Sequence, residues 1–165
     1  MKTCEALRQR MFALAGCDWA GEVCFKEGEE LSLLMDGERL TVEAPDISAA
    51  ARGLFLAACA IRDGRNVPEL HQRRHIASCG MMLDMSRGGV MTVEAVKGMI
   101  DAHAALGLNL MMLYTEDTYT VPEAPYLGYL RGRYTEKELR EMDDYAAESG
   151  VELVPCVQTL AHLEQ

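Results

Sequence analysis

No stretch of this 165-residue chain approaches the eighteen or so consecutive apolar residues needed to cross a bilayer. The amino-terminal MKTCEALRQRMFALAG also lacks the unbroken apolar segment of a secretory signal. Both absences lead us to expect a cytoplasmic protein without a membrane partner. Excess positive charge is missing as well. With 16 basic against 26 acidic residues and a formal charge of −10, the chain lacks the basic patch that displaces counterions from a phosphate backbone, so no nucleic acid is expected. The one basic cluster, Arg73-Arg74 between His71 and His75, reads as a solvated strand end. No CxxC pair joins the six cysteines (4, 17, 24, 59, 79 and 156), four of which have strongly apolar neighbours. Buried reduced thiols fit that distribution better than zinc ligands or disulfides. Neither GxGxxG nor GxxxxGKS occurs, which removes the usual glycine-loop nucleotide sites. We expect no cofactor and no resident metal.

What remains, 49% hydrophobic and 25% charged residues, is the composition of a soluble globular protein of one ordinary domain or two small ones. Residues 1–72 read as a small α+β unit. A helix is predicted over about 3–15. In ELSLLMDGERLTVE, Asp36-Gly37 separates two alternating runs, a hairpin signal. After Pro45-Asp46, Ile47, Ala50, Ala51, Leu54, Ala58 and Ile61 recur at helical spacing, and Asp63-Gly64 stops that helix. The polar RDGRNVPEL is the candidate boundary or crossover.

From residue 73 onward the pattern becomes β-α-β-α-β. IASCGMMLD reads as a strand buried on both faces. TVEAVKGMIDAHAALG reads as a helix closed by Gly107, and LNLMMLY as the next strand. TEKELREMDDYAAESG carries a capping box, Thr135 with Glu138, before the strand VELVPCV. Helices return to strands in two or three residues. The strand-to-helix connections are much longer, about eight and seventeen residues by this reading. Long connections at the carboxyl ends of strands mark where α/β folds place their sites.

The candidate residues lie on that rim. Asp84 and Arg87, before Gly88-Gly89, form either a structural ion pair or a ligand contact. Glu116 and Asp117 would point to opposite sides if the strand continued, so one could serve a ligand and the other anchor the loop, or both could be solvated loop acids. Tyr119, Tyr126, Tyr129 and Tyr134 crowd the same loop, suiting sugar rings or simply packing it down. Gln158, His162 and Glu164 follow the third strand, whereas His103 lies on a helix and reads as structural. Asp84, Glu116 and Asp117 would hold Mg²⁺ only if they converged, the reading of an unrelated metal-dependent α/β enzyme.

Taken together, GMMLDMSRGGVMTVE, NLMMLYTEDTY, YLGYLRGRYTEKELREMDDYA and ELVPCVQTLAHLEQ resemble the opening of the catalytic barrel of glycoside hydrolase family 20, the β-N-acetylhexosaminidases, in a divergent bacterial branch. The resemblance covers residues 76–165. Upstream, it extends more weakly to the small α+β domain that precedes the barrel. It implies a (β/α)₈ barrel, incomplete here after three strands and two helices, in residues 73–165. It further implies retaining removal of terminal N-acetylglucosamine or N-acetylgalactosamine, with the substrate's acetamido oxygen as nucleophile. An Asp-Glu pair after the fourth strand would do the protein's share, so the resemblance places the catalytic residues beyond Gln165. Asp84, Arg87, Glu116, Asp117 and His162 would then bind substrate or support the site, and the isolated chain would be inactive. His162 matches the family's histidine, although CVQTLAH replaces its usual acidic segment. Cys79 stands where better-known members have an arginine, and Glu116-Asp117 replaces a histidine-containing motif. The partners implied are a glycan ending in an N-acetylhexosamine and the rest of the barrel, or self-association. A non-catalytic carbohydrate-binding relative is the alternative.

Overall fold

A computed structural model describes residues 2–158. His162 and Glu164, both expected near the strand-end rim, lie outside the described residues. Helix α1 (Lys2–Ala15) is followed by strands β1 (Glu22–Glu27), β2 (Leu31–Asp36) and β3 (Arg39–Ala44), helix α2 (Ile47–Arg62) and strand β4 (Leu70–Gln72). The second half is β5 (Gly80–Asp84), α3 (Val93–Leu106), β6 (Leu110–Tyr114), α4 (Glu136–Ala147) and β7 (Glu152–Cys156).

The first sheet has the order β1-β3-β2-β4, with β1 parallel to β3 and β2 antiparallel to both its neighbours. Its hairpin turns where expected: Asp36 pairs with Arg39, and Gly37 takes φ +57°, the left-handed conformation that a two-residue hairpin loop needs. Two short strands were not anticipated. β1 has no clean alternation: Val23, Cys24 and Phe25 are half-buried in succession between exposed Glu22 and exposed Lys26-Glu27. β4, three residues long, follows the proline-containing stretch and joins the edge of this first sheet. The Arg73-Arg74 cluster follows the end of β4 with Arg73 exposed, as expected, but Arg74 is half-buried. It reaches the N-cap of α2, donating to Asp46 Oδ2 and Ser48 Oγ at 2.5 Å each.

The second sheet is parallel, in the order β5-β6-β7, and pairs without slippage, so that Asp84, Tyr114 and Cys156 end the three strands side by side. At the opposite end, Gly80 comes so close to β6 that a Cβ would sit 1.7 Å from the Leu110 carbonyl oxygen. Helices α3 and α4 begin where their predicted stretches open. Thr92 caps α3, and Thr135 and Glu138 complete a reciprocal capping box on α4. Gly107 closes α3 at φ +76°.

Burial on both faces, expected for IASCGMMLD, is not reached. The strand begins only at Gly80, and Met81 and Met82 are 46% and 54% exposed, because β5 is an edge strand with one partner. Central β6 alternates instead, with Met111 and Leu113 buried between half-buried neighbours. The cysteines are all free, but none is fully buried: five are half-buried and Cys79 is exposed.

One core spans both halves. Small residues of α2, among them Ala51, Ala57 and Ala58, are fully buried, and α2 packs on the first sheet and also on α3. A polar latch ties α1 to the other helices. The Arg10 guanidinium lies 3.5 Å from the centroid of the Tyr145 ring and donates to Asp101 Oδ1 from Nε at 2.8 Å and from Nη2 at 2.5 Å. Tyr145 Oη donates to Asp101 Oδ2 at 2.9 Å. Burial, followed by that hydrogen bond to an acid, pushes the Tyr145 phenol up to about 12, so it stays a donor. His103, expected to be structural, is buried, with its Nδ1 bonded to the Met99 carbonyl at 2.8 Å.

Replacing Arg10 by Met keeps most of the packing but leaves Asp101 without its cation. We expect a loss of about 2–3 kcal/mol, seen as a lower urea midpoint at unchanged slope. A loss below about 0.5 kcal/mol, the usual range for an ordinary surface change, would show that the latch contributes nothing.

Candidate functional site

The parallel sheet sets the site. Its strands all end at one rim, and the two connections that leave it, 85–92 and 115–135, carry all three non-glycine residues with positive φ among the described residues: Arg87 (+53°), Glu116 (+48°) and Leu130 (+62°). A side-chain-bearing residue in this region is strained by roughly 1–2 kcal/mol. Such conformations persist only where surrounding contacts enforce them.

Those contacts begin at the strand ends. The Met85 N–H donates to the Tyr114 carbonyl and the Thr115 N–H to that of Cys156, carrying the sheet's pairing one step beyond each strand. Thr118, fully buried, has its Oγ1 within hydrogen-bond distance of the carbonyls of Met85 (3.0 Å) and Thr115 (2.7 Å), which share its one proton and so stitch the two connections together. Tyr134 Oη donates to the Met91 carbonyl at 2.5 Å, and Tyr134 and Thr118–Thr120 exchange backbone hydrogen bonds that close the base of the long loop. Burial raises the Tyr134 phenol to about 12.

Asp84 does not form the ion pair with Arg87 that its spacing suggested. It accepts from Ser86 instead, from Oγ at 2.6 Å and from the backbone N–H at 2.9 Å, forming a local turn. These bonds, side chain first, hold its carboxyl below the usual aspartate range, with Arg87 assisting at longer range. The salt bridge found for Arg87 runs to Glu116, from Nε to Oε1 at 3.7 Å.

Glu116 and Asp117 are neither solvated nor splayed to opposite sides. The strand stops at Tyr114, Glu116 turns left-handed, and both residues are 3% exposed. Their carboxylates share one cation, Arg131, whose Nη1 donates to Asp117 Oδ1 and lies 3.7 Å from Glu116 Oε2. Tyr114 Oη donates to Glu116 Oε1 at 3.2 Å, and burial together with that bond keeps the phenol protonated. Gly128, at φ +64°, lies so close that a Cβ would stand 2.4 Å from the Asp117 carbonyl oxygen. Asp117 is therefore the post around which the long loop is wound.

Sequence reasoning passed over Arg131. Its signal was arithmetic: two acids placed against an apolar strand need a cation, and Arg131 and Arg133 are the basic residues of the loop that follows. Gln158 lies just past β7, its Oε1 buried without a hydrogen-bond partner among the described residues. Of the four loop tyrosines, Tyr119 and Tyr134 pack the loop's base, while Tyr126 and Tyr129 stand out from it, 77% and 62% exposed. The convergence of Asp84, Glu116 and Asp117 that Mg²⁺ would require is not formed, because the two buried acids close on arginine; no grouping of three potential metal ligands occurs among the described residues.

No protein-family sequence model and no curated protein sequence matches the chain. Solved structures do. A glycoside hydrolase family 20 β-N-acetylglucosaminidase superposes with a TM-score of 0.70 at 26% identity, covering 93% of this chain and 36% of its own. The Vibrio harveyi exo-β-N-acetylglucosaminidase of family 20, solved with N-acetylglucosamine, gives 0.66 at 20% identity over 93% of this chain and 30% of its own. A β-N-acetylhexosaminidase from Bacteroides fragilis gives 0.69 at 20% over 89% and 36%. The chain thus resembles family 20 hexosaminidases over about nine-tenths of its length and spans about a third of theirs.

Replacing Ser86 by Ala removes the largest influence on Asp84. We expect the Asp84 carboxyl to titrate at higher pH, back toward the ordinary value of about 3.9, in a ¹³C-carboxyl NMR titration. Since its folded value lies below the unfolded one, Asp84 contributes stability above the unfolded value, and that contribution is lost as pH falls through the folded value. Ser86→Ala should narrow this acid-sensitive window. An unchanged Asp84 titration would contradict the assignment.

Proposed function

We propose that the chain is part of a retaining exo-β-N-acetylhexosaminidase of glycoside hydrolase family 20, acting on terminal N-acetylglucosamine or N-acetylgalactosamine. The observation that carries this reading is the parallel βαβαβ unit with its strained, arginine-neutralised rim, within a chain that superposes over 93% of its length on a family 20 β-N-acetylglucosaminidase. Residues 1–72 would be the small α+β domain, and residues 73–165 the first three strands and two helices of a (β/α)₈ barrel. The exposed Met81 and Met82 on edge strand β5, and the apolar cleft of Leu113, Leu139, Leu153 and Pro155 beside α4, are surfaces that further strands and helices, or self-association, would cover.

In this reading hydrolysis proceeds with the substrate's acetamido oxygen attacking the anomeric carbon as the glycosidic bond breaks, and an Asp-Glu pair beyond Gln165 assists. Glu116 and Asp117 are not that pair. Both are committed to arginines, and a general acid must instead offer its proton to the leaving oxygen. Their part is to fix the rim. Arg87, 67% exposed at its side chain and set against Glu116, is the member of this group best placed to meet sugar hydroxyls; Asp84 and His162 complete the proposed substrate-facing set.

The test is hydrolysis of a chromogenic N-acetyl-β-glucosaminide and of the matching β-glucoside, which lacks the acetamido nucleophile. The complete gene product should cleave the first at least about a hundredfold faster, the scale of a lost catalytic group. The 165-residue chain alone should cleave neither. Equal rates on the two substrates, or no cleavage by the complete product, would overturn the proposal.

A further inference from the structure

The two most exposed large apolar or aromatic side chains among the described residues, Leu130 (89%) and Tyr126 (77%), sit with Tyr129 on one short segment of the β6–α4 loop. That segment is not slack. The Tyr129 N–H donates to the Tyr126 carbonyl at 3.0 Å, and Arg133 Nη1 donates to the carbonyls of Pro125 and Leu127 at 3.0 and 2.6 Å. Gly128 is pressed against the Asp117 backbone, and Arg131 fastens the segment's far end to the Asp117 carboxylate. Leu130 is held at φ +62° with its side chain in water. A loop that only needed packing would turn these side chains inward, to remove apolar surface from water. Here strained backbone and a buried ion pair hold two aromatic rings outward, 6.1 Å apart and inclined at 75°.

The geometry points to a saccharide-binding platform: Tyr126 and Tyr129 take the second and third sugar residues of the glycan whose terminal N-acetylhexosamine sits at the strand ends. This rests on the function proposed above. An exo-acting site at the rim admits the terminal residue, so the rest of the glycan must leave across the connections that surround it. The β6–α4 loop is the longest of these among the described residues. A pyranose offers an apolar C–H face to an aromatic ring and hydroxyls at its edge, where a tyrosine Oη can pair with them. The nearby carboxylates are neutralised by Arg131 and Arg87, so a neutral chain fits better than a cationic one. The substrate class is accordingly an oligosaccharide of at least two or three residues rather than a simple glycoside.

Binding of N-acetylglucosamine and of its β-1,4 sulfur-linked trimer, which resists hydrolysis, to the complete gene product, by titration calorimetry, tests this. We expect the trimer to bind about tenfold more tightly, the scale of two modest aromatic contacts. The Tyr126→Ala/Tyr129→Ala variant should bring trimer affinity down to that of the monosaccharide. Tyr126→Phe/Tyr129→Phe keeps the ring faces and should retain most of the preference, which guards against a loop that merely misfolds. Equal binding of monosaccharide and trimer, or a preference that survives the alanine variant, overturns the platform and leaves the hexosaminidase reading standing. Binding of neither sugar overturns that reading and the platform with it.

Discussion

Two carboxylates buried side by side at the end of a parallel strand need cations beside them; Arg131 meets both, and Arg87 meets Glu116 as well. Removing one partner of such a group leaves an uncompensated buried charge, which costs about 3–5 kcal/mol when burial is complete and less for a guanidinium that is 30% exposed, as Arg131 is. The contact also decides where the chain goes. Because Arg131 lies fourteen residues beyond Asp117, neutralising the acid folds the intervening segment back over the strand end, and Gly128 permits the closest approach. The positive φ of Glu116, the closed base at Thr118 and Tyr134, and the outward set of Tyr126 and Tyr129 all follow from that return.

The rest of the molecule holds the rim still. Three parallel strands in unshifted register bring Asp84, Tyr114 and Cys156 level. Capped helices α3 and α4 follow the connections that leave that level, and α2, rich in alanine, packs against both the first sheet and α3. The Arg10–Asp101–Tyr145 latch then joins the amino-terminal helix to the helices that descend from the rim. Precision at the strand ends comes from these packed elements, as a binding site on long loops requires.

Much of this was legible in the sequence because local chemistry announced it. Thr135 with Glu138, Gly107 and the Asp36-Gly37 turn each specify a terminus by their own hydrogen bonds or φ, and each does so where expected. What escaped depended on distant partners. β1 and β4 exist through pairing with β3 and β2 rather than through any pattern of their own. Met81 and Met82 looked doubly buried because apolar content records a strand's composition and not whether it lies at an edge. Asp84 and Arg87 looked like a pair at short spacing, yet Ser86 captures the acid and Glu116 the arginine. The sharpest miss was Arg131, since no spacing rule links a strand-end acid to a residue across a long loop.

The central claim is that Asp117 and Arg131 hold the rim together as a coupled pair. A double-mutant cycle of Asp117→Asn and Arg131→Met, read by urea denaturation, measures that coupling directly. The account predicts each single variant to be destabilised and the double variant to recover about 1–3 kcal/mol relative to their sum. Additivity within about 0.5 kcal/mol would contradict it.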